Sequence, residues 1–246
     1  MQSSDEVDPI LTEVVANHLL SVSEEIGLTM IRAAHSPNIR ERRDCSTAIF
    51  DVNGHIIAQA PYIPMHLGSM VGLIGEVLKH VPLQKLKSGD IFIANDPYNG
   101  GGAHLPDITL VSPVFYEGKL VAFVADIAHH ADVGGMVPGS ESAACTTIFQ
   151  EGLRMSPVPI NSALGEKDPV IQLIMLNSRT PEERLGDLQA QIAGLHVGVQ
   201  RLQEVYDRFG SQNVSSSTEA FLNYSERRMR NLIKNLNKGT FVFEDY

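Results

Sequence analysis

One stretch, Asn95 to Ser140 (NDPYNGGGAHLPDITLVSPVFYEGKLVAFVADIAHHADVGGMVPGS), limits what the rest of this chain can become. Two strand-like runs, Ile108 to Phe115 and Leu120 to Ile127, alternate around Glu117-Gly118-Lys119 and predict a β-hairpin. At its open end stand His104 and Asp107 on one arm, and His129, His130 and Asp132 on the other. Imidazole and carboxylate brought from two segments to one place is the pattern of a divalent-metal site.

The turn decides which histidine shares a face with Asp107, because side chains alternate along each strand. A three-residue loop Tyr116-Glu117-Gly118, with Gly118 left-handed in a bulge, pairs Phe115 with Lys119. It sets Leu105 opposite His129, with Asp107 diagonal to it on the same face. A two-residue loop Glu117-Gly118 puts His130 there instead. Glycine at the last loop position favours the first register, so His129 is the expected ligand. His130 then lies behind the ligands or faces substrate. His104 precedes Asp107 by three residues with Pro106 stiffening the turn, and a bent segment lets both converge on one ion. Two imidazoles and one carboxylate leave coordination positions open, as catalytic sites do.

The polar loops around the hairpin complete the candidate site. Asn95, Asp96 and the run Gly100-Gly101-Gly102 form a loop that lets backbone approach a ligand, and Asp132 opens a second glycine-rich loop. No Gly-Lys-Ser/Thr and no GxGxxG-to-helix junction is present, so neither is a nucleotide loop. His66 sits in the proline-punctuated loop PYIPMHLGSM, and Asp44 ends the charged cluster Arg40 to Asp44 at the mouth of a strand.

Elsewhere, Asp8-Pro9 starts a helix to about Ala34 with Leu11, Val15, Leu19, Val22, Ile26 and Met30 on one face. Thr47 to Asp51 pairs with His55 to Gln59 across Asn53-Gly54, Val71 to His80 is helical, and Asp90 to Ala94 is a strand. Ile148 to Pro157 reads as irregular. Pro169 to Asn177 is a short helix, and Thr180 with Pro181 and Glu183 starts a long one to about Phe209. Residues 211–218 (SQNVSSST) read as a polar linker, Glu219 to Leu236 as a last helix, and the final GTFVFEDY as the start of a strand. The expected fold is mixed α/β, with β-hairpins and a mixed sheet packed by long amphipathic helices. Residues 1–210 make the site-bearing domain, and 211–246 lead toward a further region of a larger subunit.

A net charge of −10, a pI near 5.3 and no long basic run exclude nucleic acid and anionic membrane as partners. Cys45 and Cys145 form no CxxC pair, which excludes a disulfide framework and a cysteine-based zinc site; both read as buried small residues. The opening MQSSDEVDPI lacks a basic-then-apolar signal and no apolar run approaches the ~20 residues of a membrane span, so the cytoplasm is expected.

Several strings taken together, ERRDCSTAIFD (Glu41 to Asp51), NDPYNGGGAHLPDITLVSPVF, HHADVGGMVPGS (His129 to Ser140), FQEGLRMSP (Phe149 to Pro157) and RTPEERLGDLQAQ (Arg179 to Gln191), resemble the hydantoinase B family. The resemblance covers nearly the whole chain as the N-terminal part of a longer subunit. It implies a metal triad of His104, Asp107 and His129 holding Zn, Mn or Fe, with Asp44 as a catalytic or substrate-orienting carboxylate and His130 in support. His66, Asn95, Asp96, Gly101, Gly102 and Asp132 then line the substrate site. It also implies a hetero-oligomer with an A-type subunit that binds ATP and Mg and phosphorylates a hydantoin, 5-oxoproline or related lactam for hydrolysis. ATP-dependent carboxylation of a ketone, and a non-catalytic structural subunit, are the other two readings.

Overall fold

The computed structural model describes residues 8–236 and 238–245. Its centre is one six-stranded sheet formed by β1 (Cys45–Phe50), β2 (Ile56–Pro61), β3 (Ile91–Ala94), β4 (Asp107–Tyr116), β5 (Lys119–His129) and β6 (Val158–Ile160). The strand order is β2-β1-β5-β4-β3-β6. Every pairing is antiparallel, where the sequence suggested a mixed sheet. β6, which falls just past a segment read as irregular, pairs with β3 and closes that edge.

The helices are α1 (Pro9–Ala33), α2 (Pro37–Arg40), α3 (His66–Ser69), α4 (Leu73–His80), α5 (Pro169–Asn177), α6 (Pro181–Phe209) and α7 (Ser211–Lys234). No helix among the described residues is long and apolar enough to cross a membrane. α1 starts where expected, with the Asp8 carboxylate accepting from the Ile10 amide at 2.9 Å and Pro9 in the first turn. α6 also starts at Pro181, although the Thr180 side chain makes no capping bond.

Alternate residues of the central strands feed two cores. Ile49, Ile93, Ile108, Leu110, Val114 and Val124 pack with α1, α5 and α6 on one face, while Phe50, Phe92, Val111, Phe123, Ala125 and Ile127 pack against α4 on the other. With both faces covered, the central strands are buried almost throughout, and outward polar alternation disappears.

Two C-terminal expectations change. The serine-rich stretch 211–218 is the first part of α7 and not a linker: Gly210 (φ 76°) breaks the chain direction, and Val214 and Ser217 are then buried on the body. Burial of one helical face outweighs the weak helix propensity of serine and asparagine. Residues 238–245 contain no strand, and Phe241, Val242 and Phe243 are exposed. Cys45 is buried as expected, whereas Cys145 is only half-buried.

Candidate metal centre

The β4–β5 turn is two residues long, with both Glu117 (φ 49°) and Gly118 (φ 77°) left-handed, so that Tyr116 pairs with Lys119. This is the register that places His130 on the face of Asp107. One bulge reverses that outcome. Phe115 pairs with Leu120 and Val114 with Ala122, leaving Val121 unpaired, and from there the strands run in step to the direct pair Asp107–His129. The expected loop was wrong, and the expected histidine is on the right face.

The segment before β4 folds back tightly, the Asp107 amide donating to the His104 carbonyl at 3.1 Å. His104 Nε2 thereby comes to lie 3.0 Å from Asp107 Oδ1 and 3.0 Å from His129 Nδ1, and His129 Nδ1 lies 3.5 Å from Asp107 Oδ1. Three donor atoms at these separations can all sit ~2.1 Å from a single point, the bond length of nitrogen and oxygen ligands to zinc-like ions. The residues present therefore fit a divalent ion.

Three more side chains face this trio. His66, at the start of α3, is fully buried, its Nε2 3.7 Å from Asp107 Oδ1 and 3.8 Å from Asp44 Oδ1. Asp44 is held in place by its own backbone, whose carbonyl accepts from the His129 amide at 2.9 Å. Glu141 Oε1 contacts the outer nitrogen of His104, Nδ1, at 2.9 Å, and with His104 and His129 forms a second set of donors within 4.8 Å of one another. Asp107 is buried and Glu141 exposed, which makes the Asp107 set the protected one.

The electrostatics follow from this crowding. Burial pushes the Asp107 carboxyl up, but contacts from His104, His129 and His66 override it and hold the group well below the usual carboxylate range. Burial works against the charged form of His104; the hydrogen bond and charge of Asp107, with Glu141 and Asp44, outweigh it and raise the pKa above that of a free imidazole. A cleft of about 410 Å³ opens beside the cluster, walled by His104, Pro106, Ser140 and Glu141. A small substrate entering it would meet His104 first.

The sequence profile of the family described as Hydantoinase B/oxoprolinase matches residues 8–246. This chain belongs to the hydantoinase B/oxoprolinase family. The 5-oxoprolinase of Dictyostelium discoideum is 36% identical over 83% of this hydantoinase B chain, and 16% of that relative is covered. The caprolactamase subunit beta of Pseudomonas jessenii is 32% identical over 97% of the chain and 42% of the relative. The crystal structure of the ATP-dependent caprolactamase from that organism superimposes with a TM-score of 0.85, at 32% identity, over 98% of this chain and 42% of the other. Nucleotide-free acetone carboxylase shares the fold, with a TM-score of 0.76 at 22% identity over 87% of this chain and 28% of that one. The chain spans less than half the length of the curated relatives it matches.

Within this hydantoinase B chain several residues read from the sequence as site residues are placed elsewhere. His130 faces α6 and not the cluster: fully buried, its Nε2 meets Gln191 Oε1 at 2.9 Å, and burial, then the Arg184 charge, lowers its pKa to about 4. The Asn95 amide donates to the carbonyls of Leu105 (2.7 Å) and Leu153 (2.8 Å) and accepts from the Met155 amide (2.7 Å), tying three backbone segments together. Asp96 pairs with Arg154 at 3.2 Å. A Cβ on Gly101 or Gly102 would strike the backbone of Asp96 or Asp107, so these glycines close the loop on itself. Asp132 is held by Arg179 and by the Gly134 and Gly139 amides, which overcome burial and lower its pKa. Glu141, one residue beyond the stretch that drew attention, and Gln191, on a distant helix, carried no local signal.

Proposed function

We propose that this chain is the metal-bearing part of a B-type subunit in an ATP-dependent cyclic amidohydrolase, which opens a hydantoin, 5-oxoproline or related lactam. A partner A-type subunit, holding ATP and Mg, first phosphorylates the amide oxygen, because an unactivated amide is a poor electrophile. The observation that carries this reading is the His104–Asp107–His129 donor trio beside a cleft large enough for a small ring. The names of the relatives, 5-oxoprolinase and caprolactamase, point to the same substrate class.

His104, Asp107 and His129 hold the divalent ion, Zn, Mn or Fe. When bound, the ion supplies Lewis acidity that brings the pKa of water toward neutrality and offsets developing oxyanion charge. Asp44, a quarter exposed and pointing at the same space, takes the proton of the attacking water and returns it to the ring nitrogen as the C–N bond breaks. The walls at Pro106 and Ser140 limit the ring's approach to the side on which His104 lies. His130 has no part in proton transfer here, since its reachable nitrogen is committed to Gln191.

The test is co-purification with an A-type partner and a substrate screen coupled to ATP hydrolysis. ATP turnover that requires a lactam, with one metal per B-type subunit and loss of both in His104→Ala, supports the proposal. Turnover that requires a ketone and bicarbonate moves the chain to the carboxylase reading, and full lactam turnover without stoichiometric metal sinks the metal role.

A further inference from the structure

We infer that His66 is a further protein ligand of the same ion, which gives the centre three imidazoles and one buried carboxylate. The inference rests on the metal reading above and deepens it. His66 is a buried imidazole with 1% of its side chain exposed, and neither ring nitrogen has a hydrogen-bond partner among the described residues. Buried polar groups are almost always paired, and an orphan of this kind asks for a water or an ion.

The distances distinguish these explanations. His66 Nε2 lies 3.7 Å from Asp107 Oδ1 and 3.8 Å from Asp44 Oδ1, too far for hydrogen bonds to either carboxylate. Neighbouring ligands on an ion with bonds of ~2.1 Å stand roughly 3–4 Å apart, which matches these separations and those within the trio. A histidine meant only to orient a carboxylate would close to hydrogen-bond distance, as His104 does on Asp107 at 3.0 Å. The local chain also commits the ring to this place. The His66 amide donates to the Ile63 carbonyl at 3.1 Å and its carbonyl accepts from Ser69 Oγ at 3.0 Å, fixing both backbone groups while the ring turns inward. Asp44 shares the neighbourhood but is partly exposed, so water can satisfy it, and it stays available as a base.

Co²⁺ titration of the metal-free protein provides the test, because the d–d absorption of bound Co²⁺ reports the ligand set without any substrate. Wild type, His66→Ala and His66→Gln are compared, with circular dichroism confirming that each is folded. The expected result is one Co²⁺ per chain in wild type, and in both variants an altered band with affinity lowered tenfold or more. A variant with wild-type band and affinity overturns the inference and leaves the metal site standing. Failure of wild type to bind Co²⁺ or Zn²⁺ overturns the metal reading itself, and the inference with it. Should the variants not fold, X-ray absorption on the Zn²⁺-loaded wild type decides: three imidazoles support His66 as a ligand, and two exclude it.

Discussion

Asp107 and His129 stand as a direct pair across the β4–β5 ladder, His129 Nδ1 3.5 Å from Asp107 Oδ1, although they lie at the far end of the hairpin from its turn. The pairing holds the carboxylate in place before any ion arrives. Replacing Asp107 by Asn keeps the shape but removes the charge that three histidines surround. Zn²⁺ affinity measured by calorimetry should then fall by at least the roughly 10–100-fold that losing even an indirect partner of a metal site costs. Unchanged affinity would exclude Asp107 as a ligand.

Asp126 is buried beneath α6, where Gln191 Nε2 donates to its Oδ1 at 2.9 Å and its Oδ2 has no partner. Burial raises its pKa well above 3.8, against the opposing hydrogen bond from Gln191. A pKa raised by folding means a stabilising contribution that is complete below 3.8 and is lost as pH rises through the folded-state value. Asp126→Asn keeps the acceptor and cannot ionise. Its stability advantage in urea denaturation should grow with pH and reach ~1–3 kcal/mol near neutrality. An advantage that shrinks as pH rises contradicts this assignment.

Arg179 clasps the loop that leads to Glu141. Its Nη1 donates to Asp132 Oδ2 at 3.0 Å and to the Val137 carbonyl at 3.1 Å, and its Nη2 to the Gly135 carbonyl at 2.6 Å. Arg179→Ala should cost about 1–2 kcal/mol, modest because the side chain is partly exposed. Amide exchange should accelerate between residues 133 and 140 while β4 and β5 stay protected. Uniform acceleration across the chain would show a global loss and not a released loop.

A pair of glycine substitutions tests the packing of the helices. A Cβ on Gly186 of α6 would fall inside the His35 ring, so Gly186→Ala should destabilise by ~1–3 kcal/mol as overpacking does. Gly75 of α4 has nothing within 4 Å of the same position, and Gly75→Ala should stabilise by roughly 0.5–1 kcal/mol through helix propensity. Thermal melts of the two variants shifting in the same direction would contradict both readings.

What could be read from the sequence follows the range of the interaction involved. Helix starts at Pro9, Pro169 and Pro181 are local and were legible. The trio His104, Asp107 and His129 was legible because strand alternation carries face information over a long hairpin, though the turn and the bulge were each misread and their errors cancelled. Asn95 and Asp132 looked like substrate residues because polar side chains in glycine-rich loops often are. In this fold those loops have many backbone groups to satisfy, and the two side chains are used for that. The link between His130 and Gln191 spans 61 residues, and no local pattern announces it. Residues 211–218 have linker composition, and only the tertiary burial of Val214 makes them helix.

Val121, the residue β5 carries without a counterpart on β4, is a slack link between the hairpin tip and the ion-binding end. Loss of one residue from β5 can be absorbed there: the bulge disappears and Asp107 still meets His129. Gain of one residue has no such outlet, and unless a second bulge forms it rotates His129 toward α6 and brings His130 onto the face of Asp107. Length variation in this hairpin should therefore be one-sided, with shortening by one residue compatible with the centre and lengthening by one residue not.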